Sequence, residues 1–133
     1  MGFALSLYPV SLINLYRNEG RLRDAERVVQ HALDIQVTCL GEQHRSVVQT
    51  LAMLAGIYED EGKNDPAKLA HAATTYERAI RIQESNLGPG DSGLLPLLQK
   101  YAGLLQKLHE DVKAAEVKSR IAAISATERK MRQ

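Results

Sequence analysis

The sequence of 133 residues contains no tryptophan and a single phenylalanine, and aromatic residues make up only 5% of it. Sandwiches and barrels of β-strands are usually rich in aromatic and β-branched side chains, so this composition disfavours them. Alanine and leucine are the prominent apolar residues instead, and both are strong helix formers. The composition therefore predicts an all-α fold, and the length is that of one domain.

Cysteine and long apolar runs are also scarce. Cys39 is the single cysteine, which excludes an internal disulfide framework and is typical of a reducing compartment. The apolar run over residues 1–10 lacks a basic start, contains Pro9 and is too short to span a bilayer. We therefore expect a cytoplasmic protein without a signal peptide or a membrane span.

Neither sign of charge dominates. Lysine and arginine number 17 against 16 for aspartate and glutamate, so no overall field attracts nucleic acid or an anionic membrane. We expect neither of these as a partner, and any recognition guided by charge must be local.

The patterns that carry catalysis or metal binding are missing as well. The only Gly-x-Gly, at Gly88 and Gly90, has no following lysine and is typical of a helix break. The adjacent carboxylates of Glu59 and Asp60 would point in different directions on a helix. The histidines do not have the spacing of ligand pairs on a helix face; they are His31, His44, His71 and His109. The sequence predicts no enzyme, no cofactor and no metal.

The sequence does contain an internal repeat. Tyr16 and its neighbours return at Tyr58, 42 positions later, whereas Ala25 returns at Ala72, 47 positions later. Five residues are therefore inserted between these two points, at 63–67. A third and weaker copy places Ala102 opposite Ala55 in the first half of the unit, and in the second half it places Ala115 opposite Ala25 and Ala122 opposite Ala32.

A period of this size is typical of helical hairpins, each of which must stack on a neighbour to bury its apolar face. We predict repeats over 9–41, 46–88 and 92–124, followed by a C-terminal extension over 125–133. In the second repeat, Asp65 followed by Pro66 is a good helix start. The insertion should lengthen that helix by about one turn beyond the stack, either as a docking feature or as a tolerated change of length.

The recurring residues resemble tetratricopeptide repeats of the longer class seen in kinesin light chains. The first-helix positions are filled by Leu12, Ile13 and Tyr16, by Leu54, Ala55 and Tyr58, and by Tyr101, Ala102 and Leu105. The second-helix positions are filled by Ala25, Val29 and Ala32, by Ala72, Tyr76 and Ala79, and by Ala115, Ser119 and Ala122. The resemblance implies a right-handed α-solenoid of three hairpins with an extended C-terminal helix. It also makes His44 a packing or capping residue of a turn.

In such repeats the first helices line a concave face that binds peptides, often through a ladder of asparagines. That ladder is absent here, since its positions hold Val10 and Ser11, Ala52 and Met53, and Gln99 and Lys100. The predicted groove residues are Asn14, Arg17, Asn18, Met53, Glu59, Asp60, Gln99, Lys100 and Lys107. Arg17 and Lys107 would pair with partner carboxylates, Glu59 with a basic group, and the amides with backbone. Alternatively, these side chains form a solvated surface.

These observations favour a non-catalytic scaffold that binds a segment of a partner protein. Two alternatives stay open. The chain could self-associate through its terminal helices, or it could be a regulatory part of a larger multidomain protein.

Overall fold

The computed structural model describes residues 11–63 and 65–132, and it contains helices and turns but no strand within those ranges. The elements are α1 (residues 11–18), α2 (Leu22–Leu40), α3 (Arg45–Glu61), α4 (Pro66–Leu87), a 3₁₀ turn (Ser92–Leu94), α5 (Leu95–Lys107) and α6 (Asp111–Arg132). The predicted all-α class is confirmed. The predicted start of the first repeat, at residue 9, lies outside the described residues.

From α2 to α6, consecutive helices pack on one another, so the core runs along the stack rather than forming a central ball. Val29 and Leu33 of α2, Leu51 of α3 and Tyr76 of α4 are almost completely buried. Burial of each such side chain stabilises the fold by about 1.5–3 kcal/mol. Within the described part of the chain, none of the helices combines the length and the apolar character that a membrane crossing requires.

The turn inside the first hairpin recurs in the third. Gly20 has a φ of +77° and donates to the carbonyl of Arg17, and the next amide reaches Tyr16. His109 has a φ of +60° and donates to the carbonyl of Gln106, and the next amide reaches Leu105. This is the hydrogen-bonding pattern of a Schellman ending. It requires the left-handed conformation at the turn residue, which is Gly20 in the first hairpin and His109 in the third. Histidine therefore occupies a position that favours glycine.

These turns correct the register of the third repeat. Counted from Gly20 and His109, the residue that matches Ala25 is Ala114, which is 3% exposed, whereas Ala115 is exposed. The predicted match to Ala115, and with it to Ser119 and Ala122, was therefore one residue too late. Two consecutive alanines fit the repeat pattern equally well, and only the turn decides between them.

Side chains cap the helices that follow the other turns. His44 precedes α3, and its Nδ1 accepts a hydrogen bond from the amide of Ser46 at 3.1 Å. Asp91, the corresponding residue one repeat later, accepts from the amide of Gly93 at 2.7 Å. The predicted capping role of His44 is confirmed, and so is the helix start at Asp65, which accepts from the amide of Ala67.

The inserted residues lengthen α4, as predicted, but its first turn does not stand free of the stack. α4 has 22 residues and α2 has 19, so residues 66–68 form an extra turn. In that turn the Nζ of Lys68 lies 3.6 Å from Glu26 on α2 and 3.4 Å from Glu61 on α3. The extra turn is therefore tied to both preceding helices, because Lys68 reaches two carboxylates that flank it.

The Glu61 carboxylate is the most enclosed member of this group. Its side chain is 11% exposed, and its Oε1 atom is buried without a hydrogen-bond donor among the described residues. Burial raises the pKa of Glu61, and the neighbouring Glu26 raises it further. Lys68 offsets part of this effect, so the three side chains form one electrostatic unit, the Lys68 cluster, between the first two repeats.

Candidate functional site: a groove on the first helices

A groove of about 540 Å³ runs across the first helices of the three hairpins. We call it the first-helix groove. Six of the nine predicted site residues line it, and they come from α1, α3 and α5: Asn14, Arg17, Met53, Glu59, Asp60 and Lys100. The repeat brings them together because equivalent positions of stacked hairpins lie on one side of the solenoid.

Arg17 is held by an ion pair inside the groove. Its Nη2 and Nε atoms lie 2.8 Å and 3.0 Å from Oδ2 of Asp60, and each side chain is 32% exposed. The guanidinium passes over Gly56, where an added Cβ would be 3.4 Å from Nη2. Arg17 was predicted to pair with a carboxylate of a partner, but the structure places its charge beside Asp60.

Glu59 also has an internal partner. The hydroxyl of Tyr76 donates to its Oε2 atom at 2.9 Å, and the tyrosine ring is 1% exposed. Burial raises the pKa of Tyr76, and the negative charge of Glu59 raises it further. The phenol therefore stays protonated and orients Glu59 at the edge of the groove, although this carboxylate was predicted to meet a basic group of a partner.

The groove side chains that remain accessible differ in chemistry from these two pairs. Asn14, Gln49 and Lys100 are exposed, and Lys100 forms no ion pair with any residue that the structure describes. Between them, Ala52 and Met53 are half-buried. The accessible surface thus combines two amides, one ammonium group and a small apolar patch.

Three predicted residues do not line the groove. Asn18, Gln99 and Lys107 are exposed, and Lys107 is the last residue of α5. Sequence reasoning missed Gln49 as a lining residue, although its helical spacing to Met53 places both on one face of α3. It did not place Tyr76 in the groove either, because that side chain arrives from a second helix and no local pattern indicates its direction.

Within the described ranges, no group of three or more histidine, cysteine, aspartate or glutamate side chains is arranged to hold a metal ion. Cys39 is exposed and free.

Comparison with known proteins places the fold. No family profile matches the sequence, and neither does any protein of curated function. Two crystal structures of a Podospora anserina protein named as a kinesin light chain, with nearly identical TPR-like repeats, superpose with TM-scores of 0.76 and 0.75. They are 21% and 22% identical to this chain, and each match covers 90% of it and 54% of the known structure. The chain thus spans about half the length of those proteins.

The chain is therefore an all-α solenoid of tetratricopeptide-like repeats. At this level of identity the likeness concerns the fold alone, and at that level it confirms the resemblance to the longer repeats of kinesin light chains.

Proposed function

We propose that this protein is a non-catalytic scaffold that binds an extended segment of a partner protein in the first-helix groove. Solenoids of this kind commonly work by presenting a surface to other proteins. The observation that carries the proposal is the accessible set of side chains around Met53. Exposed amides can bond an extended backbone, and the half-buried apolar patch can take up a side chain.

The charged side chains of the groove indicate how the partner segment would bind. Arg17 forms an ion pair with Asp60, and Glu59 accepts a hydrogen bond from the hydroxyl of Tyr76. Among the described residues that line the groove, Lys100 is the cation without an ionic partner, so the segment should place a carboxylate beside α5. The amides of Asn14 and Gln49 would contact its backbone. This assignment replaces the roles predicted for Arg17 and Lys107.

A random-peptide display library selected on the wild-type protein provides the test. The selected peptides should lose about tenfold in affinity when Lys100→Glu reverses the free cation, because an attraction becomes a repulsion. Lys107→Glu is the matched control: it makes the same change in net charge on the same helix but outside the groove. Selected peptides that bind the Lys100→Glu variant as tightly as the wild type would place the site elsewhere.

Self-association through the terminal helices is the second candidate function, and exposed apolar side chains on α6 favour it. Val112 and Met131 are 75% and 84% exposed at the two ends of this helix, where a second copy of the chain would cover them. Light scattering over a range of concentrations tests it. A dimer that disappears when residues 125–133 are removed supports this candidate, whereas a monomer at every concentration argues against it.

A further inference from the structure

The Lys68 cluster holds more negative than positive charge. The Nζ atom of Lys68 lies 3.6 Å from Oε1 of Glu26 and 3.4 Å from Oε2 of Glu61, and no other cation of the described residues lies within 4 Å of either carboxylate. Both distances exceed the roughly 2.7–2.9 Å of a charge-assisted hydrogen bond. One ammonium group therefore offsets one of the two negative charges, and the cluster lacks one positive charge.

Glu61 contains the atom that this deficit affects most. Its Oε1 atom is buried, and no hydrogen-bond donor of the described residues reaches it. The side chain of Glu61 is 11% exposed and that of Glu26 is 26% exposed, so bulk water solvates the pair poorly. A buried acceptor without a donor is unfavourable, and a charged one is more so.

A single proton would correct both deficits. A protonated Glu61 has an O–H group that can donate to the carboxylate of Glu26, which is close enough to form a hydrogen bond with it. The same proton leaves one negative charge opposite one ammonium group. Two carboxyl groups in one enclosed site commonly hold a proton in this way, because both cannot be charged at little cost.

The other titratable groups of α3 and α4 do not supply the missing charge. Tyr58 stays neutral, because burial raises the pKa of its phenol and Glu26 raises it further. Burial lowers the pKa of Lys68, but Glu26 and Glu61 raise it by more, so the ammonium group stays charged. The imidazole of His71 contacts the ring of Tyr58, with 5.7 Å between the ring centroids.

The surroundings on the side of α2 are balanced in charge. The cluster lines an open groove of about 680 Å³ between α2 and the start of α4. The other charged residues of this groove are two of each sign, with one imidazole beside them: Arg23, Arg27, Asp34, Asp65 and His31. Neither arginine lies within 4 Å of a carboxylate of the cluster. The groove thus gives the cluster the contact with solvent that proton exchange requires, but no further cation.

We propose that Glu26 and Glu61 share one proton, and that this proton is a pH-dependent clasp between the first two repeats. While it is bound, a carboxyl–carboxylate hydrogen bond joins α2 to α3, and Lys68 neutralises the remaining charge. When it is lost at higher pH, the two carboxylates repel each other and Lys68 alone holds them together. The clasp does not depend on the function proposed for the first-helix groove.

The sign of the effect follows from proton linkage. The pKa of Glu61 is raised in the folded protein, first by burial and then by Glu26. The folded protein therefore holds the proton more tightly than the unfolded chain does. The stability that the clasp contributes is present at acid pH and is lost as the pH rises through the raised pKa.

A pH titration of the full chain, followed through the NMR carbon shifts of the glutamate carboxyl groups, tests the shared proton. Two carboxyl groups that share a proton titrate in steps that belong to both. Glu26 and Glu61 should therefore report a common upper midpoint, above the midpoints of the exposed Glu42 and Glu116. In the Glu61→Gln variant, the new amide can donate to Glu26, whose midpoint should fall to that of Glu42 or below.

Thermal unfolding provides the second measurement. Glu61→Gln imitates the protonated carboxyl group, so it should raise the unfolding midpoint by roughly 4 °C at pH 8 and by less at pH 5. Glu42→Gln is the matched control, because it removes the same charge from an exposed position. It should shift the midpoint by no more than about half as much at pH 8.

Midpoints of Glu26 and Glu61 that coincide with those of Glu42 and Glu116 in the wild type would overturn the proposal. So would a midpoint of Glu26 that stays in place in the Glu61→Gln variant. A His71→Gln variant that loses the upper step would overturn it as well, because the step would then report the imidazole. Circular dichroism verifies that each variant is folded. If Glu61→Gln is not, Glu26→Gln takes its place and Glu61 becomes the reporter, with the same expected fall in its midpoint.

Discussion

The Nη2 atom of Arg17 lies 2.8 Å from the Oδ2 atom of Asp60, 43 residues further along the chain, and joins α1 to α3 across the first-helix groove. The pair therefore connects the first helices of two neighbouring repeats. It also removes one positive charge from those that a partner can reach. The same contact thus belongs to the packing of the solenoid and to the electrostatics of the candidate site.

A double-mutant cycle measures this pair. We expect Arg17→Met and Asp60→Asn each to lower the free energy of unfolding by about 0.5–1.5 kcal/mol, and the double variant to lose less than the sum. Urea denaturation of the four proteins gives the coupling energy. A coupling indistinguishable from zero would show that the pair does not stabilise the stack.

Removal of the cation from the Lys68 cluster should destabilise the protein in a pH-dependent way. Lys68→Met leaves two carboxylates facing each other, and we expect a loss of about 1–2 kcal/mol at pH 8. The pKa of Glu61 is already raised and should rise further without the ammonium group. A raised pKa means that the folded protein binds the proton more tightly, so stability returns as the pH falls.

The measurement is the free energy of unfolding of the Lys68→Met variant and of the wild type at pH 8 and at pH 5. Lys63→Met serves as the control, since this exposed lysine is close in sequence and forms no ion pair with a described residue. It should change stability by less than about 0.5 kcal/mol at either pH. An equal loss for Lys68→Met at both values would contradict the proton linkage.

The bond between Tyr76 and Glu59 predicts a particular behaviour in alkali. Tyr76→Phe should cost about 1 kcal/mol near pH 8, where the wild type keeps the hydrogen bond. Burial raises the pKa of Tyr76 in the folded protein, so above about pH 10 the phenol ionises first in the unfolded chain. The wild type then loses up to about 1.4 kcal/mol per pH unit that the variant does not lose. The difference in unfolding free energy between the wild type and Tyr76→Phe should therefore be smaller at pH 11 than at pH 8. An equal difference at both pH values would refute this explanation.

Gly20 and His109 are the left-handed residues of the two matching turns, and substituting them should change the stability of the protein in opposite directions. His109→Gly should stabilise the protein by about 0.5 kcal/mol, because glycine adopts a φ of this sign without strain. Gly20→Ala should destabilise it by about 1 kcal/mol. An added Cβ at Gly20 meets no atom within 4 Å, so the cost comes from the backbone alone. Thermal unfolding of both variants tests the assignment, which fails if His109→Gly lowers the midpoint.

Much of the fold could be predicted because the same apolar spacing occurs in successive copies of the repeat. The apolar spacing, the helix start at Asp65 and the capping role of His44 depend on contacts within a few residues, and such contacts follow from local sequence. The register of the last helix could not be predicted in this way. Ala114 and Ala115 are chemically identical, and the choice between them is made by a turn in which histidine replaces glycine.

The candidate site likewise has features that the sequence predicted and features that only the tertiary structure decided. From the sequence alone came the class of protein, the stacked hairpins, and six residues that line the first-helix groove, because helical periodicity determines which positions share a face. The tertiary structure decided how those residues are used. Arg17 pairs with Asp60, the hydroxyl of Tyr76 donates to Glu59, and Lys68 ties the inserted turn to α2 and α3. Pairings of this kind depend on distances between helices, which stacking sets and no local pattern records.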